Sequence, residues 1–140
     1  MTFTEQLNRI LDPVRTAIKQ MARKAIVDTV DDTGAQQVIS VRTGGGAVLD
    51  KVERLQPFGL TSAPASGDEV LLISTNGDRE HAVAVQVGSS ANRISGLDEG
   101  EVAVYRNASN KIVFRANGDL EIMTEGQLSI NGGNLTVESA

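Results

Sequence analysis

A chain of 140 residues with 40% hydrophobic and 22% charged residues can bury one compact core and an appendage, but hardly two full domains. It has no cysteine, which excludes disulfides and thiolate metal sites, and its aromatics, at 3%, exclude a large aromatic core and favour strands with tight turns. The net charge of -5 is unevenly spread, and residues 96–140 hold three basic against seven acidic groups, which disfavours nucleic acid as a partner.

Thr2 and Glu5 have capping-box spacing, and apolar residues follow at Phe3, Leu7, Leu11, Val14, Ile18, Met21 and Ala25, close to a heptad. Asp12 can cap a helix that starts at Pro13, so two helices or one broken helix are expected, the second running from about Pro13 to Lys24. Arg15, Lys19, Arg23 and Lys24 mostly avoid the apolar stripe. That permits docking on its own chain, self-association or contact with a membrane surface, with ordinary protein packing favoured.

From Ala25 the period changes to two, with expected strands at Ala25–Asp31, Gln37–Arg42, Val48–Leu55, Glu69–Ser74 and Ala82–Val87. Five short strands suit a small Greek-key barrel; an OB fold is the commonest choice, and an SH3-like barrel would write a similar pattern. Gln56–Ser66, with Pro57, Gly59 and Pro64, is a loop long enough to cross the barrel end. Small and polar residues from Ser89 to Asp98 mark a linker. The resulting division is a helical segment over 1–24, a barrel over 25–90, a linker over 91–99 and a C-terminal element over 100–140.

That last element opens with an expected hairpin of Glu101–Tyr105 and Lys111–Ala116, then repeats. The pairs Ile112 and Phe114, Leu120 and Ile122, Leu128 and Ile130, Leu135 and Val137 recur at eight, eight and seven residues, separated by turns at Asn117-Gly118, Glu125-Gly126 and Asn131-Gly132-Gly133. The pattern predicts a ladder of very short strands, each turning two apolar side chains to one side. A lone one-sided meander would leave that surface wet, so the tail needs a partner, and the simplest partner is another copy of itself.

Catalytic chemistry finds little support. His81 is the single histidine and could act as a general base beside Asp78 or Glu80, but it reads as a turn histidine bonded to backbone. The glycine run at Thr43–Gly46 is not followed by Lys-Ser or Lys-Thr and makes no P-loop. The acidic pairs Asp31-Asp32, Asp68-Glu69 and Asp98-Glu99 fall at turn or linker positions, where solvated carboxylates need no catalytic role. No catalytic residue, cofactor or metal site is assigned, and the expectation is an assembly part and not an enzyme. No apolar run is long enough to span a membrane and no secretory series opens the chain, so synthesis and solubility in the cytoplasm are expected.

Four segments carry a family resemblance: Val52-Glu53-Arg54-Leu55-Gln56-Pro57-Phe58-Gly59-Leu60-Thr61-Ser62; Gly77-Asp78-Arg79-Glu80-His81 before Ala82–Val87; Leu97–Tyr105 with its Gly-Glu-Val-Ala-Val-Tyr core; and Asn131–Val137. In this order, over roughly residues 20–140, the chain resembles the baseplate spike proteins of Mu-like contractile-tailed phages, also called baseplate assembly protein V or tail-tip puncturing protein. The resemblance implies a mainly β homotrimer. Its OB-fold-like barrel would sit against the tail hub, and its C-terminal strands would intertwine into a trimeric β-helix or β-prism spike. Such a spike caps the tail tube of the virion and pierces the host outer membrane, after assembly in the host cytoplasm.

In that reading Ile112, Phe114, Leu120, Ile122, Leu128, Ile130, Leu135 and Val137 line the shared interior, while Arg115, Glu121, Gln127, Ser129 and Glu138 face solvent. The family loop Gln56, Pro57, Phe58 and Gly59 would lie at the barrel end. Many relatives end in a His-x-His motif that holds iron, but no histidine follows His81 here, so no metal is carried over. A blunt end, a separate tip protein or a shortened chain would each account for that. The alternative from another class is a monomeric OB-fold binding module for oligosaccharide or nucleic acid, which would need an aromatic platform from Phe3, Phe58, Tyr105 and Phe114.

Overall fold

The computed structural model describes residues 1–78 and 80–138, and the chain divides into two compact units, Met1–Ala91 and Asn92–Ala140. The first unit opens with helix α1 (Phe3–Gln20). Its capping box is complete: the Thr2 hydroxyl accepts from the Glu5 N–H at 3.3 Å, and the Glu5 carboxylate accepts from the Thr2 N–H at 2.6 Å.

One helix runs through Pro13, which corrects the expected break. Proline removes one intrahelical hydrogen bond, but no residue of α1 is buried, so water can serve the carbonyl left over. Asp12 caps nothing and pairs instead with Arg15 at 3.3 Å. The helix also ends before Lys24, because Ala22, Arg23 and Lys24 pair with Ile73, Leu72 and Leu71 at the start of the first strand. Nor does the apolar stripe dock on its own chain. Among the strands and turns, α1 meets chiefly the first strand and the Thr75–Gly77 turn, with Leu11, Ala17 and Gln20 half-buried, while Ile10 stays 70% and Ile18 62% exposed.

The barrel is built from β1 (Ala22–Asp31), β2 (Val38–Thr43), β3 (Val48–Arg54), β4 (Glu69–Ser74) and β5 (Ala82–Gly88). It closes in the order β1-β2-β3-β5-β4, antiparallel throughout except for a short parallel pairing of Glu53 with Val83 and Arg54 with Ala84. Period-two alternation sends Ala25 and Val27, Ile39 and Val41, Val52, Val70 and Leu72, Ala82 and Ala84 inward to one core. A bulge bends β3 where Asp50 and Lys51 oppose Ser40, and Lys51 takes a φ of 55° there. The Ser40 hydroxyl donates to Asp50 at 2.6 Å across the same irregularity.

The second unit holds a three-stranded antiparallel sheet of β6 (Val102–Asn107), β7 (Asn110–Phe114) and β8 (Leu120–Met123), in that order. Asn107 builds its first turn by accepting from the N–H groups of Ser109 and Asn110 at 3.1 and 2.9 Å. The expected ladder stops at Met123: among the described residues beyond it there is no strand. Leu128, Ile130, Leu135 and Val137 are 57–85% exposed. A strand with no hydrogen-bonded neighbour has nothing to hold it extended, and the single chain provides none.

Candidate functional site

Two surfaces stand out, one on each unit. In the sheet, register and alternation place six apolar side chains on one face in two rows, Val102, Phe114 and Leu120, then Val104, Ile112 and Ile122. All six are exposed, from 38% at Ile112 to 59% at Val102. The structure therefore brings together Ile112, Phe114, Leu120 and Ile122 from the expected set and adds Val102 and Val104, which sequence reading left out. It does not bring Leu128, Ile130, Leu135 and Val137 to that face as strands.

The opposite face is covered at its centre, while Tyr105 and Met123 at one end are 43% and 44% exposed. Val113, between Ala103 and Glu121, is fully buried. Arg115 clamps this side, donating to Glu101 at 3.0 Å and to Glu121 at 2.7 Å. Arg115 and Glu121, expected simply to face solvent, thus form an ion-paired triad with Glu101, whose side chain is only 5% exposed. The Asp98 N–H is the main cause that holds the Glu101 carboxyl below the usual range, aided by the Ala116 N–H and Arg115. The two carboxylates in turn push the Arg115 pKa up.

On the barrel, the loop that follows β3 is held by a polar cluster. Gln37 sits at the inward parity of Ile39 and Val41 and is buried. Its amide donates to Asp32 at 2.9 Å and to the Ser62 carbonyl at 3.0 Å, and its oxygen accepts from Arg54 at 2.6 Å. Arg54 also donates to Gln56 at 3.0 Å, to the Ser62 carbonyl and to the Ser62 hydroxyl at 2.8 Å, while the Ser62 N–H returns a bond to Gln56 at 3.0 Å. Burial lowers the Arg54 pKa against the pull of Asp32.

Between the two pinned ends the chain turns at Pro57–Leu60, where the Leu60 N–H donates to the Pro57 carbonyl at 3.1 Å and Gly59 takes a φ of 85°. Phe58, at the tip, is 106% exposed, more than in a free reference peptide. The family loop is thus a rigid mount for one aromatic ring. Sequence reading named Gln56 to Gly59 but missed Gln37, Arg54 and Ser62 as their support; a glutamine just before β2, at the inward parity of Ile39 and Val41, was the available signal.

Other candidates are weaker. Among the described residues the His81 ring is paired with a side chain and not with backbone: its Nδ1 lies 2.6 Å from Asp78, and both side chains are largely exposed. Arg79, between them, lies outside the described residues. An open groove of about 360 Å³ beside Ile26 is lined by charges already paired, Arg42 with Asp28 at 3.0 Å and Lys24 with Glu69 at 4.0 Å. Of the four aromatic rings, Phe3 lies on α1 and Phe58 on the loop in the first unit, while Tyr105 and Phe114 lie on opposite faces of the sheet in the second.

Comparison with known proteins bears on the same regions. Residues 24–91 match the family described as Bacteriophage Mu Gp45, N-terminal. The chain is 32% identical over 115 residues to the Mu-like prophage FluMu protein gp45 of Haemophilus influenzae, covering 82% of this chain and 63% of that protein. It is 30% identical over 112 residues to the baseplate puncturing device gp45 of Escherichia phage Mu, covering 80% of this chain and 57% of that protein. The chain therefore spans about three fifths of the length of the curated relatives it matches.

Proposed function

Since the chain belongs to the Mu gp45 family, we propose that it is a structural component of a phage baseplate, the central spike that caps the tail tube and pierces the host outer membrane. The observation that carries the reading is the sheet face of Val102, Val104, Ile112, Phe114, Leu120 and Ile122, all exposed in the single chain. Burying the half of these six side chains that is still exposed is worth roughly 4–9 kcal/mol, at about 1.5–3 for each whole side chain. A contiguous apolar face of this kind marks an interface.

In the proposed homotrimer three such faces meet around one axis. Leu128, Ile130, Leu135 and Val137 extend the shared interior once neighbouring chains supply the strand partners that one chain lacks. The opposite face, with Val113 beneath the Arg115 pairs, is then the outer wall. A narrow prism whose backbone groups are all paired between chains transmits axial force without an edge at which to peel apart. The OB-fold-like barrel joins this shaft to the tail hub, with Phe58 on its braced loop as the contact for that hub or for a neighbouring protomer.

The test is the mass of the full chain in solution. Three copies of 14.8 kDa give about 44 kDa. Sedimentation equilibrium at micromolar concentration is expected to return that mass, and Ile122→Asp is expected to return the monomer, because three carboxylates would be buried together. A wild-type monomer at that concentration would sink the proposal.

A further inference from the structure

The α1 stripe offers a surface distinct from the sheet. A helix of 18 residues is about 27 Å long, and in proteins most of the stability of a helix comes from packing its amphipathic face. This one also carries Pro13, which costs about 3 kcal/mol inside a helix, and its own chain covers it only in part, at Leu11, Ala17 and Gln20, with no residue fully buried. The structure passes the stripe through Ile10, not Leu11: Ile10 is exposed and Leu11 half-buried.

With that correction two sets each repeat at seven residues, Leu7, Val14 and Met21, and Phe3, Ile10 and Ala17. These are the alternating core positions of a coiled coil. The charged residues of the helix, Glu5, Arg9, Asp12, Arg15 and Lys19, all fall on the opposite side, and the positions flanking the seam on either hand hold no charge. Parallel copies could therefore close on this seam with no like charges set against each other. A leucine in one core position with isoleucine in the next, as at Leu7 and Ile10, favours assemblies larger than two.

We infer that α1 is a second self-association element, in which copies of this chain pack their helices in parallel along the Leu7–Val14–Met21 seam. The self-association rests on the helix alone; the number three rests on the reading given above. It has the consequence that the copies are joined at two places along the chain, by helices at the start and by strands at the end.

The absence of cysteine makes the test direct. Val14→Cys places a thiol in the seam, and Lys19→Cys places one on the opposite side of the same exposed helix. Under mild oxidation of the full chain, Val14→Cys is expected to run mainly as a disulfide-linked pair on a non-reducing gel, with Lys19→Cys at least fivefold less linked. Equal or negligible linkage in both variants would overturn the inference. So would pelleting of uncrosslinked Val14→Cys with phosphatidylglycerol vesicles, which would assign the stripe to a membrane surface. The native mass separates the two proposals: a trimer with no Val14→Cys linkage refutes the helix seam alone. A monomeric Ile122→Asp variant whose added Val14→Cys still links at high concentration upholds the seam without the sheet.

Discussion

Arg54 and Ser62, eight residues apart, are joined twice by one guanidinium, which donates to the Ser62 carbonyl and, at 2.8 Å, to its hydroxyl. The planar fork also reaches Gln37 and Gln56, so a single side chain fixes both ends of the loop that carries Phe58. Arg54→Ala leaves the buried Gln37 oxygen without this donor and is expected to cost about 1.5–3 kcal/mol. Arg54→Lys should recover only a small part, since a point charge cannot reproduce the fork. Urea denaturation of both variants measures this, and a midpoint unchanged in Arg54→Ala would show the cluster to be ornamental.

Ile112 and Val113 are neighbours on β7 with opposite fates, one exposed on the open face and the other fully buried. Val113→Ala removes two buried methyl groups and is expected to destabilise the second unit by about 2 kcal/mol at any protein concentration. Ile112→Ala, at a residue 38% exposed, should cost the dilute chain less than Val113→Ala and cost more where copies assemble, because the rest of its burial depends on mass action. Thermal unfolding followed from nanomolar to micromolar concentration separates the two. An Ile112→Ala loss that is the same at every concentration would refute the assignment of that face to other copies.

The Glu101 carboxyl is held below its ordinary value of 4.5 by the Asp98 N–H first, and then by Ala116 and Arg115. A carboxylate with a depressed folded pKa binds protons more readily unfolded than folded, so its contribution is present above the ordinary value and is lost as pH falls through the folded one. The second unit is therefore expected to weaken below about pH 4.5, and Glu101→Gln to show a smaller change between pH 6 and pH 3. Melting temperatures of both proteins across that range check the sign. A variant whose melting falls as steeply as the wild type would place the acid sensitivity at other carboxylates.

The barrel strands were legible because each carries period-two alternation between glycine-containing turns, and Glu69–Ser74 appears in the structure with the bounds expected for it. α1 was harder. Leu11 and Ile10 are adjacent and both apolar, and helical spacing alone cannot say which lies on the stripe; that depends on which side meets β1. The continuous helix through Pro13 was hidden for a related reason, since the penalty for proline depends on whether its orphaned carbonyl can reach water. In the tail, the pattern of paired apolar residues fixed which side chains share a face as far as Ile122. Beyond Met123 the same pattern yields no strand in one chain, because strands need partners that sequence periodicity does not supply.

The barrel closes on itself, so each of its five strands has a neighbour on both sides. The three-stranded sheet does not close, and β6 and β8 each keep one unpaired flank. The barrel is closed over only two residue pairs where β3 meets β5, but β6 and β8 each offer a whole unpaired flank, so strand addition to this chain begins more readily in the second unit. Aggregation during overproduction should thus respond more strongly to substitutions in Val102–Met123 than to surface substitutions in the barrel. The five barrel strands find their neighbours within one chain, whereas the outer flanks of β6 and β8 stay open to a strand from elsewhere.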